Sequence, residues 1–235
     1  MNKDINLIKH IIEPEELYLL WQAPNRRNFI VAKIYKDDRF VYLQDDEDYK
    51  EALKQGFEGY PAFSTKKKEY KSNIIATFIT RCPPRYRSDL NIYFRAIRVP
   101  FDEYKDKEKF SDFALLAYSA AKIPDDPFMI INPFSNIEPP FELMIEVAGF
   151  RYQDLEIEDF KIGQKAVFEK EYNNSYDANA VKIKVEGKKI GYVMKGLNKT
   201  IGFWIDKGYK IKSVVERKNG TKERPLIHLF TEVTN

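Results

Sequence analysis

Short, nearly continuous apolar runs separated by polar residues mark the early part of this chain. Leu17-Tyr18-Leu19-Leu20-Trp21, Phe29 to Tyr35 and Phe40 to Leu43 are such runs, separated by Asn25-Arg26-Arg27 and by Lys36-Asp37-Asp38. Polar, turn-forming residues between β-rich runs predict a small antiparallel meander. The period changes after Asp48, where Tyr49 to Gln55 with Gly56 beyond it predicts a capped helix. Gly59 to Phe63 is expected to be extended, because Tyr60 precedes Pro61. Three further helices are predicted: Asn73–Ile79 capped by Ser72, Leu90–Ile97 capped by Ser88-Asp89, and Phe113–Ala121 capped by Ser111-Asp112. Phe78, Phe94, Phe113 and Tyr118 fall on their apolar faces and read as core.

Three prolines and two asparagines between Asn132 and Pro140 break any helix or central strand. They place a boundary there, giving domains at 1–138 and 139–235. Beyond it short β-rich runs predict strands at 142–147, 166–171, 180–185, 189–193, 211–215 and 227–231, with one helix from Asn198 to Lys207 stopped by Gly208. Many short strands between turn signals predict a small barrel or sandwich. The fold class is therefore α+β: a small antiparallel sheet with helices, then a small OB-like β-barrel with a helix.

The 43% hydrophobic and 14% aromatic content supports a packed core rather than disorder. No apolar run approaches the roughly 18 residues of a membrane span. Met1-Asn2-Lys3-Asp4-Ile5 is too polar and acidic for a secretory signal. The single cysteine, Cys82, excludes an internal disulfide and a cysteine zinc cage, so a reducing, cytoplasmic setting is expected. Only His10 and His228 carry imidazoles, too few for most histidine-based catalytic or metal sites. Cys82 lies on an apolar helix and reads as a buried thiol; Asp45-Asp46-Glu47-Asp48 and Asp125-Asp126 read as solvated loops or helix starts. No phosphate-cradling glycine motif is present. No catalytic residue, metal or cofactor is expected.

Net charge is +3, but it is unevenly placed. Residues 1–140 hold 22 Lys and Arg against 22 Asp and Glu, whereas residues 161–235 hold 16 against 8. A basic segment beside a neutral one points to a polyanion partner for the basic part. The run Tyr172-Asn173-Asn174-Ser175-Tyr176-Asp177-Ala178-Asn179-Ala180-Val181 adds the chemistry. It has the composition of a turn, with more aromatic and amide groups than a turn requires. Aromatic faces stack on bases, and amides and carboxylates bind base edges and sugar hydroxyls.

With Val147-Ala148-Gly149-Phe150-Arg151-Tyr152 before it and Ile190-Gly191-Tyr192-Val193 with Lys195 after it, this run resembles the HIRAN domain across about residues 141–235. The resemblance implies a DNA-binding module that recognises single-stranded DNA and its free 3′ end. By position, it implies that Arg151 contacts a phosphate or the last nucleotide. Tyr152 and Tyr176 then stack on the last bases. Asn173 and Asn174 shape the pocket, Asp177 accepts from a 3′-hydroxyl, and Lys195 neutralises a phosphate. Ser175 stands where the family commonly has proline, and Tyr192 where it often has histidine.

Leu17 to Trp21, Phe40 to Leu43, Tyr60-Pro61-Ala62-Phe63, Tyr70 to Ile75 with the Pro83-Pro84-Arg85 stop, and Phe113 to Ser119 resemble, in order, the N-terminal subdomain of HipA-type kinases. No kinase core follows within the chain. Together the two resemblances imply a non-catalytic bacterial regulator or antitoxin. Its partners are DNA ends and a HipA-type kinase, with a helix-turn-helix protein as a possible third component. The alternative is a DNA-repair or phage-defence accessory factor that uses the DNA-end site alone.

Overall fold

The computed structural model describes residues 6–235; the Met1–Ile5 segment assessed above for a secretory signal lies outside them. The chain forms two compact units, residues 12–135 and residues 6–11 with 136–235.

The first unit runs β1 (Glu16–Gln22), β2 (Asn28–Tyr35), β3 (Arg39–Tyr42), α1 (Glu47–Lys54), β4 (Gly59–Tyr60), β5 (Phe63–Ser64), β6 (Glu69–Lys71), α2 (Ile74–Ile79), α3 (Leu90–Ile97), α4 (Phe101–Tyr104), α5 (Asp112–Ser119) and β7 (Phe128–Ile131). Its main sheet has the order β6-β3-β2-β1-β7. The predicted meander forms its centre, flanked by two strands that the apolar runs do not reveal. Glu69–Lys71 is too short and polar to stand out, and Phe128–Ile131 is only four residues long. Ser111 caps α5 as expected, its hydroxyl accepting from Ala114 N–H at 3.0 Å. Ser72 does not cap α2. Ser72 and Asn73 both take left-handed backbone, and Asp38 of the β2–β3 turn accepts from Ile75 N–H at 2.8 Å instead. Asp89 makes no cap bond, because its carboxylate is taken by Arg87 at 2.8 and 2.7 Å.

Phe78, Phe94 and Phe113 are buried as expected, whereas Tyr118 is half-buried with its hydroxyl accepting from Ile12 N–H at 2.9 Å. Tyr42 anchors the aromatic core. Its hydroxyl donates to the Phe63 carbonyl at 2.5 Å and accepts from Tyr60 N–H at 2.8 Å, and burial pushes the phenol up to about 12. Cys82 is buried against the Ser119 hydroxyl at 3.4 Å, and burial pushes its thiol up, away from the reactive thiolate. The acidic clusters are engaged too. Asp45 pairs with Lys68 at 2.5 Å, Asp48 accepts from Ile30 N–H at 3.1 Å, and Asp126 receives a two-pronged bond from Arg81.

The second unit contains β8 (Phe141–Glu146), β9 (Lys165–Lys170), β10 (Val181–Val185), β11 (Lys188–Tyr192), α6 (Asn198–Lys207), β12 (Lys210–Gly220) and β13 (Pro225–Thr234), with 3-10 turns at Phe150–Tyr152 and Ile157–Asp159. The antiparallel sheet order is β11-β10-β9-β12-β13-β8. The chain just past β8 returns to β11: Ala148 and Tyr192 exchange backbone hydrogen bonds of 2.8 and 2.9 Å. The expected small barrel is thus a six-stranded sheet whose edge strands β8 and β11 are not paired with each other, with one isolated bridge joining the segment just past β8 to the end of β11. Trp204 of α6 is buried against Phe141, ring centroids 5.0 Å apart. Residues 6–11 join this unit through Glu142, whose buried carboxylate accepts from Lys9 and His10 N–H at 2.9 and 3.0 Å.

Arg81 donates to Asp126 at 2.9 and 3.0 Å and to the carbonyls of Ala121 and Phe128, both at 2.8 Å. Burial pushes Asp126 up, but the Arg81 bonds, the Phe128 N–H bond and the Arg81 charge together outweigh it and hold the carboxyl below its ordinary range. A depressed native value means that this stabilisation is present above the ordinary aspartate pKa and is lost as pH falls through the lowered one. Asp126→Ala, which strands a nearly buried guanidinium, is expected to cost about 3 kcal/mol in urea denaturation. A loss below about 1 kcal/mol would show the pair to be dispensable.

Candidate nucleic-acid interface

The three sequence blocks singled out above lie far apart along the chain and meet at Tyr192. The backbone of Tyr192 holds the first block through the Ala148 bridge. Gly191 makes this approach possible. It sits at φ +146, and a Cβ there would stand 2.4 Å from the Ala148 oxygen and 2.7 Å from Val147 Cγ1. Only glycine fits that conformation and that gap.

The Tyr192 side chain holds the second block. Its hydroxyl donates to Glu171 Oε2 at 2.7 Å and accepts from Lys189 Nζ at 2.8 Å. Asn174 Nδ2 also donates to Glu171 Oε2, at 2.7 Å, and reaches the Tyr192 hydroxyl at 3.4 Å. The other end of that amide organises the loop, Asn174 Oδ1 accepting from Tyr176 and Asp177 N–H at 2.9 and 3.0 Å. The bonds from Asn174 and Tyr192, with help from Lys189, hold Glu171 below its ordinary range.

Asp177 ties the loop to α6. Its Oδ1 accepts from Asn179 N–H at 2.8 Å and its Oδ2 from Asn198 Nδ2 at 2.6 Å. Asn198 is buried, so the brace is fixed at both ends. Each Asp177 oxygen keeps a second lone pair for a further donor.

The remaining candidates surround this network. Gly149, at φ +78, turns the chain into the 3-10 turn that buries Phe150 and presents Arg151 and Tyr152. The Arg151 guanidinium lies 4.5 Å from the Tyr152 ring centroid and donates to its hydroxyl. Tyr152 and Tyr176 are 67% and 82% exposed, rare for large rings and suited to stacking on a planar ligand. Asn173 is exposed beside Asn174, and Lys195 is half-buried in the link from β11 to α6. A groove of about 880 Å³ leads from Arg151 past Asp154 and Glu158 to the β12–β13 tip at Lys218 and Lys222.

Three residues in the network were not anticipated: Glu171, Lys189 and Asn198. Lys189 and Tyr192 are three apart and should lie on opposite faces of a regular strand. A bulge between Ile183 and Lys184 in the β10–β11 register skips Ile190, which brings them to one face. Glu171 is the last acid before the loop and could have been flagged as its closing acceptor; Asn198 carries no local signal.

Tyr192→Phe removes one of the donors to Glu171 and the contact from Lys189. The Glu171 carboxyl is then expected to titrate at higher pH, read by carboxyl-carbon NMR. An unchanged titration would mean that the phenol does not hold the network.

Among the described residues no helix is long and apolar enough to cross a membrane, and no cluster of three or more His, Cys, Asp or Glu is placed to hold a metal. No curated protein matches the chain. Among solved structures, the crystal structure of the HIRAN domain of human HLTF is 23% identical, over 39% of this chain and 74% of that one, at a TM-score of 0.34. A Lactobacillus plantarum protein from a structural genomics consortium is 22% identical over 39% and 92%, at 0.33. The HLTF HIRAN domain in its DNA-bound conformation, solved by NMR, is 21% identical over 39% and 73%, at 0.30. The family model of the HIRAN domain matches residues 140–234, which take in all three blocks that meet at Tyr192, so this part of the chain is similar to a HIRAN domain.

Proposed function

We propose that the HIRAN-like domain of this chain binds the 3′ end of single-stranded DNA and does so without catalysis. The observation that carries this reading is the convergence on Tyr192. One hydrogen-bonded network fixes two loops, and each loop leaves a large aromatic ring exposed to solvent: Tyr152 beside Arg151, and Tyr176 beside Asp177. Exposed rings on a fixed frame stack on successive bases with little ordering cost, and sequence-tolerant stacking is the usual basis of single-strand binding. Arg151 and Lys195 meet phosphates. The free lone pairs of Asp177 accept from a terminal 3′-hydroxyl, and its charge repels a 3′-phosphate.

Fluorescence anisotropy tests this directly. Oligonucleotides ending in a 3′-hydroxyl are expected to bind more tightly than the same strands ending in a 3′-phosphate, with affinity falling as salt rises. Tyr152→Ala and Tyr176→Ala are each expected to weaken binding about tenfold. Lys195→Ala should weaken both end types alike, whereas Asp177→Asn should narrow the difference between them. Equal affinity for both ends in the wild type would sink end recognition.

For the unit at 12–135 we propose the role that its sequence resemblance implies, docking of a HipA-type kinase, which would make the chain an antitoxin-like regulator. Co-expression with a kinase encoded beside it, followed by pull-down, is expected to recover a complex. Failure to recover one would leave the accessory role in DNA repair or defence.

A further inference from the structure

A second recess lies on the same 171–180 loop, between that loop and α6. Its volume is about 240 Å³, and its lining includes Tyr172, Asn179, Lys199, Gly202 and Phe203. That is below the roughly 300–1,000 Å³ of sites for drug-sized ligands, and on the scale of one planar base. We infer that this recess is a second nucleobase subsite, taking one interior base of the strand whose 3′ end is held around Tyr192. The inference rests on the single-strand reading above.

Four observations carry it. Tyr172 on the loop and Phe203 on α6 are 76% and 48% exposed, two large rings lining one small recess. Each ring has a cation nearby, Lys170 Nζ at 5.3 Å from the Tyr172 centroid and Lys207 Nζ at 5.5 Å from that of Phe203. Lys170 also bonds both oxygens of Asp206, at 2.9 and 2.7 Å, so the end of β9, where the loop begins, is tied to the helix. The lining has no bulk at Gly202: a Cβ there would meet nothing closer than Lys170 Cε, at 3.9 Å.

The polar groups suit a base and its phosphate. The backbone of Asn179 is pinned to Asp177 at 2.8 Å while its side chain is exposed, in reach of a base edge. Lys199 is exposed in the lining for a phosphate. Two carboxylates also line the recess, and both are occupied, Asp206 by Lys170 and Glu171 by Asn174 and Tyr192. Glu171 belongs to both places, as does the Asp177–Asn198 bond of 2.6 Å. The recess and the end site thus share one braced loop.

The test uses the full chain and 3′-hydroxyl oligonucleotides with a single abasic position walked along the strand. Wild-type protein is expected to lose about tenfold in affinity at the terminal positions and again at one interior position. Replacing both rings, Tyr172→Ala with Phe203→Ala, should erase the interior dependence and leave the terminal one. Gly202→Leu keeps both rings but fills the recess, and it favours the helix, so it should act in the same way without unfolding. An interior abasic site tolerated by the wild type, or both variants binding as the wild type does, overturns the subsite while the end site stands. A wild type that binds no oligonucleotide overturns both.

Discussion

The contact on which the second unit depends is the two-bond bridge between Ala148 and Tyr192. It delivers the 3-10 turn bearing Arg151 and Tyr152 beside the end of β11. The bridge in turn depends on Gly191, because any Cβ at that position would collide with the Ala148 carbonyl. One glycine thus sets the assembly of the site.

The electrostatics follow the same economy. This unit is rich in lysine, yet the acids near the site are not simply neutralising surface. Glu171 and Asp177 each accept hydrogen bonds that fix a loop, and Asp206 ties the end of β9, where that loop begins, to α6 through Lys170. Carboxylates used as internal acceptors hold the frame of the site. The acids in the first unit act similarly: Asp38 caps α2, and Asp126 is locked onto Arg81.

Most of the architecture was legible in the order of apolar and polar positions. Short apolar runs between polar turns marked the central strands of both sheets, and the Ser111 cap and the Gly208 stop marked helix ends. The strands that escaped, Glu69–Lys71 and Phe128–Ile131, are edge strands formed by pairing with neighbours, which short runs do not advertise. The eight candidate site residues were readable by motif, but the groups that hold them were not. Lys189 reaches Tyr192 only because a bulge changes the parity of β11, and Asn198 reaches Asp177 only because α6 packs beside the loop. Both are consequences of pairing and packing over distance, which no local pattern encodes.

The two departures from the family pattern acquire a physical meaning in this network. A histidine at position 192 would bring a positive charge when protonated. Tyrosine does not; its hydroxyl accepts from Lys189 at 2.8 Å and donates to Glu171 at 2.7 Å, which sets a cation and an anion on either side of it. A proline at 175 would stiffen the loop by limiting its backbone. With serine there, the stiffness comes from side chains: Asn174 gathers two successive N–H groups, and Asp177 is braced to buried Asn198. Neither change therefore loosens the frame, since neighbouring side chains supply rigidity at 175 and the tyrosine hydroxyl joins a lysine to a carboxylate at 192.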